Sequence, residues 1–113
     1  MKRPIITMVT MLLVLISALL ISGCGSQNSE KLAQCLSEKG AVLYGTEWCS
    51  HCQNQKEAFG QSFSYIEFID CDRQSEKCFA EGIEGYPTWV INGQKYPGNQ
   101  DIIRLADISG CPI

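Results

Sequence analysis

Seven cysteines, and the apolar segment that precedes all of them, constrain this chain more than any other feature. Lys2 and Arg3 open the chain, Ile5 to Ile21 is almost wholly apolar, and Ile21-Ser22-Gly23-Cys24 then leads into the polar Gly25-Ser26-Gln27-Asn28-Ser29. A charged start, an apolar middle and small residues at a cleavage point are the marks of an export signal. The apolar run is at the short end of the roughly 17–25 residues that cross a bilayer. An uncleaved anchor or plain secretion are therefore the alternatives. Each of these puts the rest of the chain outside the cytoplasm, in a compartment where cysteines pair.

Ile-Ser-Gly-Cys also resembles the lipobox of prokaryotic lipoproteins. That resemblance implies cleavage before Cys24 and a diacylglycerol on its sulfur. Residues 1–23 are then a signal peptide, 24–29 a lipidated cysteine and short tether, and 30–113 the working domain. About 90 residues remain, enough for one small domain. Without Lys2 and Arg3, seven basic side chains face twelve acidic ones, a formal charge of −5. An acidic exported domain with no basic patch is a poor candidate for nucleic acid. No repeat is visible.

With Cys24 assigned to lipid, Cys35, Cys49, Cys52, Cys71, Cys78 and Cys111 remain. Six cysteines allow 15 pairings. The stretch Thr46-Glu47-Trp48-Cys49-Ser50-His51-Cys52 holds two of them around the chain's one histidine. Such a pair can chelate a metal, staple the fold or exchange electrons. A zinc site needs two more ligands, and Cys71 and Cys78 have six residues between them, unlike the usual knuckle. A bridge across two residues closes little chain entropy. Redox exchange is the reading carried forward, with no metal and no cofactor expected.

The chain around the pair reads as alternating elements. Ser29 is positioned to cap a helix carrying Leu32, Cys35 and Leu36 on one face, ended by Gly40. Ala41 to Tyr44 has the length of a strand, and Gln53 to Phe59 reads as a helix stopped by Gly60. Phe63 to Ile69, rich in aromatic and β-branched residues, reads as a second strand. Ser75 to Glu81 forms a short helix closed by Gly82. Asn92-Gly93 between two strand-like runs is a strong hairpin signal, because both turn residues need positive φ. Asp101 to Ser109 closes the chain as a helix, with Gly110 as its stop. This order predicts one mixed sheet covered on both faces.

If Cys49 lies at the junction of the Ala41–Tyr44 strand and the following helix, the unpaired N–H groups of the first turn favour its thiolate. Cys49 is then the attacking sulfur, and Cys52, one turn on, resolves the mixed disulfide. His51 adds a donor or positive charge that makes the couple more oxidising. Trp48 offers a flat apolar surface to a partner peptide.

Leu43 to Cys52 resembles the active-site segment of thioredoxin-fold proteins, and Gly85-Tyr86-Pro87-Thr88 resembles their second signature. The resemblance implies a thioredoxin-like fold with about four strands in a central mixed sheet. It also makes Pro87 a cis-proline beside the cysteine pair, and Tyr86 the residue whose backbone meets bound peptide. The chain is closer still to thioredoxin-like domains fused to, or encoded beside, bacterial homologues of vitamin K epoxide reductase. "WCSHCQNQKEAFG", "YIEFIDC" and "CFAEGIEGYPTWVINGQKYPG" carry that likeness from Leu32 to the C-terminus. It implies dithiol–disulfide exchange with protein thiols and disulfides, and a quinone-linked membrane partner.

Two departures from the family bear on direction. Leu43 stands where thioredoxins carry a buried Asp behind the resolving cysteine, with Glu47 the nearest acid. Ser50-His51 replaces the Gly-Pro of reductases and is nearer the Pro-His of DsbA-type oxidants. Both favour an oxidant. A reductase or isomerase of the same fold, or a non-catalytic redox-sensing or interaction lipoprotein, is the alternative.

Cys71 and Cys78 flank the loop after the second strand and either bridge it or form a second redox pair relaying electrons. Cys35 and Cys111 either tie the first helix to the chain end or stay a buried and a free thiol. Phe59, Phe63, Tyr65, Phe68, Phe79 and Trp89 are expected in the core.

Overall fold

The computed structural model describes residues 3–17 and 25–113. Cys24 and the expected cleavage point lie outside them. The first helix, α1, spans Arg3–Ser17, and among the described residues no helix is long and apolar enough to cross a membrane. There follow α2 (Gly25–Glu38), β1 (Val42–Gly45), α3 (Ser50–Phe59), a 3-10 helix (Gly60–Tyr65), β2 (Glu67–Asp70), α4 (Ser75–Glu81), β3 (Thr88–Ile91), β4 (Gln94–Pro97) and α5 (Ile102–Ser109).

The four strands form one sheet in the order β2-β1-β3-β4. β1 runs parallel to β2 and antiparallel to β3, and β3 pairs antiparallel with β4. The two-residue period of β1 separates two apolar clusters. Leu43, in register with Phe68 and Trp89, faces the main core of Leu32, Leu36, Phe59, Trp89, Ile91 and Leu105. Val42 and Tyr44 face the other side, where Ile69, Cys71, Cys78 and Ile83 gather under α4. The sheet is thus covered on both faces, as the element order predicts, and is compatible with a thioredoxin-like fold.

Local signals held where a residue acts on its own backbone. Asn92 and Gly93 have φ of 52° and 77°, the pair of positive values the β3–β4 turn requires. Asp101 caps α5 by accepting the Arg104 N–H at 2.8 Å, and Gly110 closes it in the left-handed region.

Three expectations need correction. α2 begins at Gly25, so Ser29 lies inside the helix and does not cap it. Phe63 to Ile69 is not one strand: a 3-10 helix takes the chain to Tyr65 and only Glu67–Asp70 pairs. The partner decides this, because the Ala41 N–H is committed to the Leu36 carbonyl at the end of α2, leaving β1 to start at Val42. Phe79 and Tyr65 are not core. Phe79 is 88% exposed, because the seven-residue α4 buries only its Cys78 face, and Tyr65 reaches outward to donate to Glu30 at 3.3 Å.

Two disulfides fasten the domain. Cys35–Cys111 joins α2 to the chain end across 76 positions, and Cys71–Cys78 closes the β2–α4 connection across 7. On loop entropy alone these contribute about 4.5 and about 2.5 kcal/mol.

Candidate active site

β1 ends at Gly45, and Thr46-Glu47-Trp48 turns the chain into α3. Cys49 is the N-cap of that helix, its backbone extended (φ −74°, ψ 120°). In place of the usual oxygen, the Cys49 sulfur accepts the Cys52 N–H at 3.3 Å. Negative charge on this sulfur would meet the positive end of the helix. The Gln53 side chain donates to the Glu47 carbonyl and fastens the turn to the first coil of α3.

The two sulfurs differ in access. Cys49 keeps 9% of its surface open, whereas Cys52 has none. Both are free thiols, while the other four described cysteines are bridged. Burial, and the hydrogen bond with Cys49, push the Cys52 thiol up to about 11; the Thr46 backbone and the positive charge of Lys56 work against that rise. Behind Cys52 the wall is backbone: a Cβ placed on Gly45 would stand 2.7 Å from the sulfur. Leu43 is wholly buried in the main core, so no carboxylate occupies that place. Glu47 lies at the surface, paired with Lys56 at 2.9 Å.

The Tyr86–Pro87 peptide is cis, and the Cys49 thiol faces the Tyr86 carbonyl at 3.8 Å. Pro87 is fully buried, while Tyr86 and Trp48 are 40% and 71% exposed. Their rings meet edge to face at 6.4 Å. Trp48 is held from below, its indole N–H donating to Asp72 Oδ2 at 2.7 Å. Cys49, Trp48 and Tyr86 therefore border one surface, with Pro87 buried beside it. His51 is exposed on the first turn of α3.

Cys71 stands next to this surface. Its N–H donates to the Gly45 carbonyl at 2.8 Å, and the loop it closes with Cys78 carries Asp72. Bonded to each other, Cys71 and Cys78 are not available to a chelate with Cys49 and Cys52. Among the described residues no group of three or more His, Cys, Asp or Glu is placed to hold a metal ion.

Sequence reasoning missed four residues that shape the site: Gly45, Asp72, Lys56 and Gln55. Lys56 and Gln55 had a signal, lying four and three positions after Cys52 on one helix. Gly45 and Asp72 had none, since their contacts depend on how β1 and β2 pair.

No family model matches the chain. Over 99 residues, 80% of this chain, the sequence is 38% identical to the thiol-disulfide oxidoreductase LTO1 of Arabidopsis thaliana. The match covers 26% of that relative, so the chain spans about a quarter of its length. The likeness, together with the free cysteine pair at the head of α3, supports a redox enzyme of the thiol–disulfide class.

Proposed function

We propose that this protein is an extracytoplasmic thiol–disulfide oxidoreductase, tethered to the membrane by a lipid on Cys24, that passes a Cys49–Cys52 disulfide to protein substrates. The observation that carries the proposal is the asymmetry of the pair: a sulfur open at the helix N-terminus beside the Tyr86 carbonyl, with a fully buried sulfur behind it.

The chemistry balances in two steps. A substrate thiolate attacks Cys49 of the oxidised pair; the Cys49–Cys52 bond breaks, and Cys52 leaves as a thiolate that takes up a proton. A second substrate thiolate then attacks the substrate sulfur of the mixed disulfide, releasing Cys49 as a thiolate. The substrate loses two electrons and the pair gains them. A substrate peptide lying across Trp48 and Tyr86 presents its sulfur at Cys49, the one member of the pair with open surface.

Re-oxidation belongs to a quinone-linked membrane protein similar to vitamin K epoxide reductase. Support for that partner is the resemblance of the "WCSHC…GYPTW" segments to domains that accompany such proteins. The test is oxidation of a reduced protein substrate by the wild type and by Cys49→Ala. Full loss in the variant is expected, and retained turnover overturns the assignment. For the tether, Cys24→Ser is expected to move the protein from membrane to soluble fractions.

A further inference from the structure

In either direction of exchange Cys52 must carry negative charge for a moment, as leaving group or as nucleophile. It does so fully buried, with apolar Leu43 where an acid could have managed its proton. Only the residues around it can offset that charge.

Lys56 follows Cys52 by four positions on α3, so both side chains lie on the same helical face. Its ammonium is 3.9 Å from the centre of the Phe68 ring and 5.6 Å from that of Phe63. Glu47 Oε2 holds it at 2.9 Å, and the side chain is 19% exposed. Phe68 in turn adjoins the site: a Cβ on Gly45 would meet the Phe68 ring at 3.2 Å and the Cys52 sulfur at 2.7 Å. The Phe68 ring thus lies against the Gly45 side of the Cys52 sulfur and carries the Lys56 ammonium over its face. A freely solvated lysine would extend into water; this one is folded back over an aromatic pair.

We propose that Lys56, folded over Phe63 and Phe68, is the counter-charge for the Cys52 thiolate and a positioning residue of the exchange reaction. The inference rests on the reading of Cys49–Cys52 as a redox pair. Other charged groups near Cys52 are few. Cys49 faces it from the helix N-cap, and Glu47 is spent on Lys56. Asp70, in register with Gly45, is engaged by the Asp72 N–H at 3.0 Å and by Arg73 at 3.7 Å. Leu43, Gly45 and Phe68 bring no charge from the sheet, and neither do Leu32, Ala33 and Leu36 from α2.

The step stays balanced: the proton that Cys52 gains or loses is exchanged with solvent or with the substrate thiol, and Lys56 acts by its charge alone. In Lys56→Met the Cys52 titration, followed by thiolate absorbance in full-length Cys49→Ala, is expected to move up by about one pH unit. The Cys52-dependent step then slows about threefold at neutral pH, because the smaller thiolate fraction is partly offset by greater nucleophilicity. Lys56→Arg is expected to restore both. Glu47→Gln separates charge from scaffolding: it leaves the ammonium without its carboxylate and should not raise the Cys52 titration. An unchanged titration in Lys56→Met, or an equal upward move in Glu47→Gln, overturns the proposal. If wild type fails to exchange with any dithiol, the redox reading itself falls, while the Cys52 titration still reports on Lys56.

Discussion

The Cys52 sulfur occupies the space that a side chain on Gly45 would need: a Cβ there would come within 2.7 Å of it. Gly45 is not in the left-handed region, so its value is room and not backbone freedom. Alanine at 45 must displace the sulfur or the Phe68 ring, and overpacking of this kind costs about 1–3 kcal/mol. Gly45→Ala is expected to lower the denaturant midpoint and slow exchange. In a Cys52→Ala background, which removes the sulfur, the same substitution should cost markedly less. Equal costs in both backgrounds would show that the sulfur is not what Gly45 accommodates.

Asp72 supports the exposed face of the site through Trp48. A hydrogen bond of this kind is worth about 0.5–1.5 kcal/mol net, which corresponds to roughly a two- to tenfold change in affinity. Asp72→Ala is expected to raise KM for a protein substrate by that factor, leaving kcat and the reaction with a small dithiol nearly unchanged. An equal effect on both substrates would place the role of Asp72 elsewhere.

Gln55 joins α3 to the segment before α5. Fully buried, it accepts from the Trp89 indole at 3.0 Å and the Gln100 N–H at 2.7 Å, and donates to the Gln100 carbonyl at 2.9 Å. Gln55→Leu leaves these groups unpaired at about 1–3 kcal/mol each. A loss of at least about 3 kcal/mol in equilibrium unfolding is expected; a loss below about 1 would mean that water replaces the amide.

The contrast between Gln55 and Asn92-Gly93 marks what the sequence could reveal. The hairpin, the Gly110 stop and the α4 boundaries depend on the conformational preferences of a few adjacent residues, and the chain states them directly. The Cys49-x-x-Cys52 pair and the Tyr86-Pro87 turn were equally plain as motifs, and the fold brings them together. Gln55 and Phe79 were opaque because polarity and size say nothing of which helix face meets the sheet. The false strand at Phe63 has the same origin: β-propensity offered seven residues, and β1 had partners for four.

Titration of Cys52 gives the pH behaviour its sign. Burial raises the folded thiol from 9.0 to about 11, so in that interval the unfolded chain has released a proton that the folded one keeps. Stability from this group is therefore complete below about pH 9 and is lost as pH rises towards about 11. The reduced protein should lose more stability across that window than reduced Cys52→Ala does, measured by denaturant unfolding at each pH. An identical pH dependence would show that Cys52 ionises as readily folded as unfolded.

In the proposed exchange Cys49 meets the substrate and Cys52 resolves. Its most direct test is to incubate Cys52→Ala with a disulfide-bonded peptide and locate the adduct by mass spectrometry. A stable mixed disulfide on Cys49, released by dithiothreitol and absent from Cys49→Ala, is expected. An adduct on any other cysteine, or none while the wild type still exchanges, would contradict it.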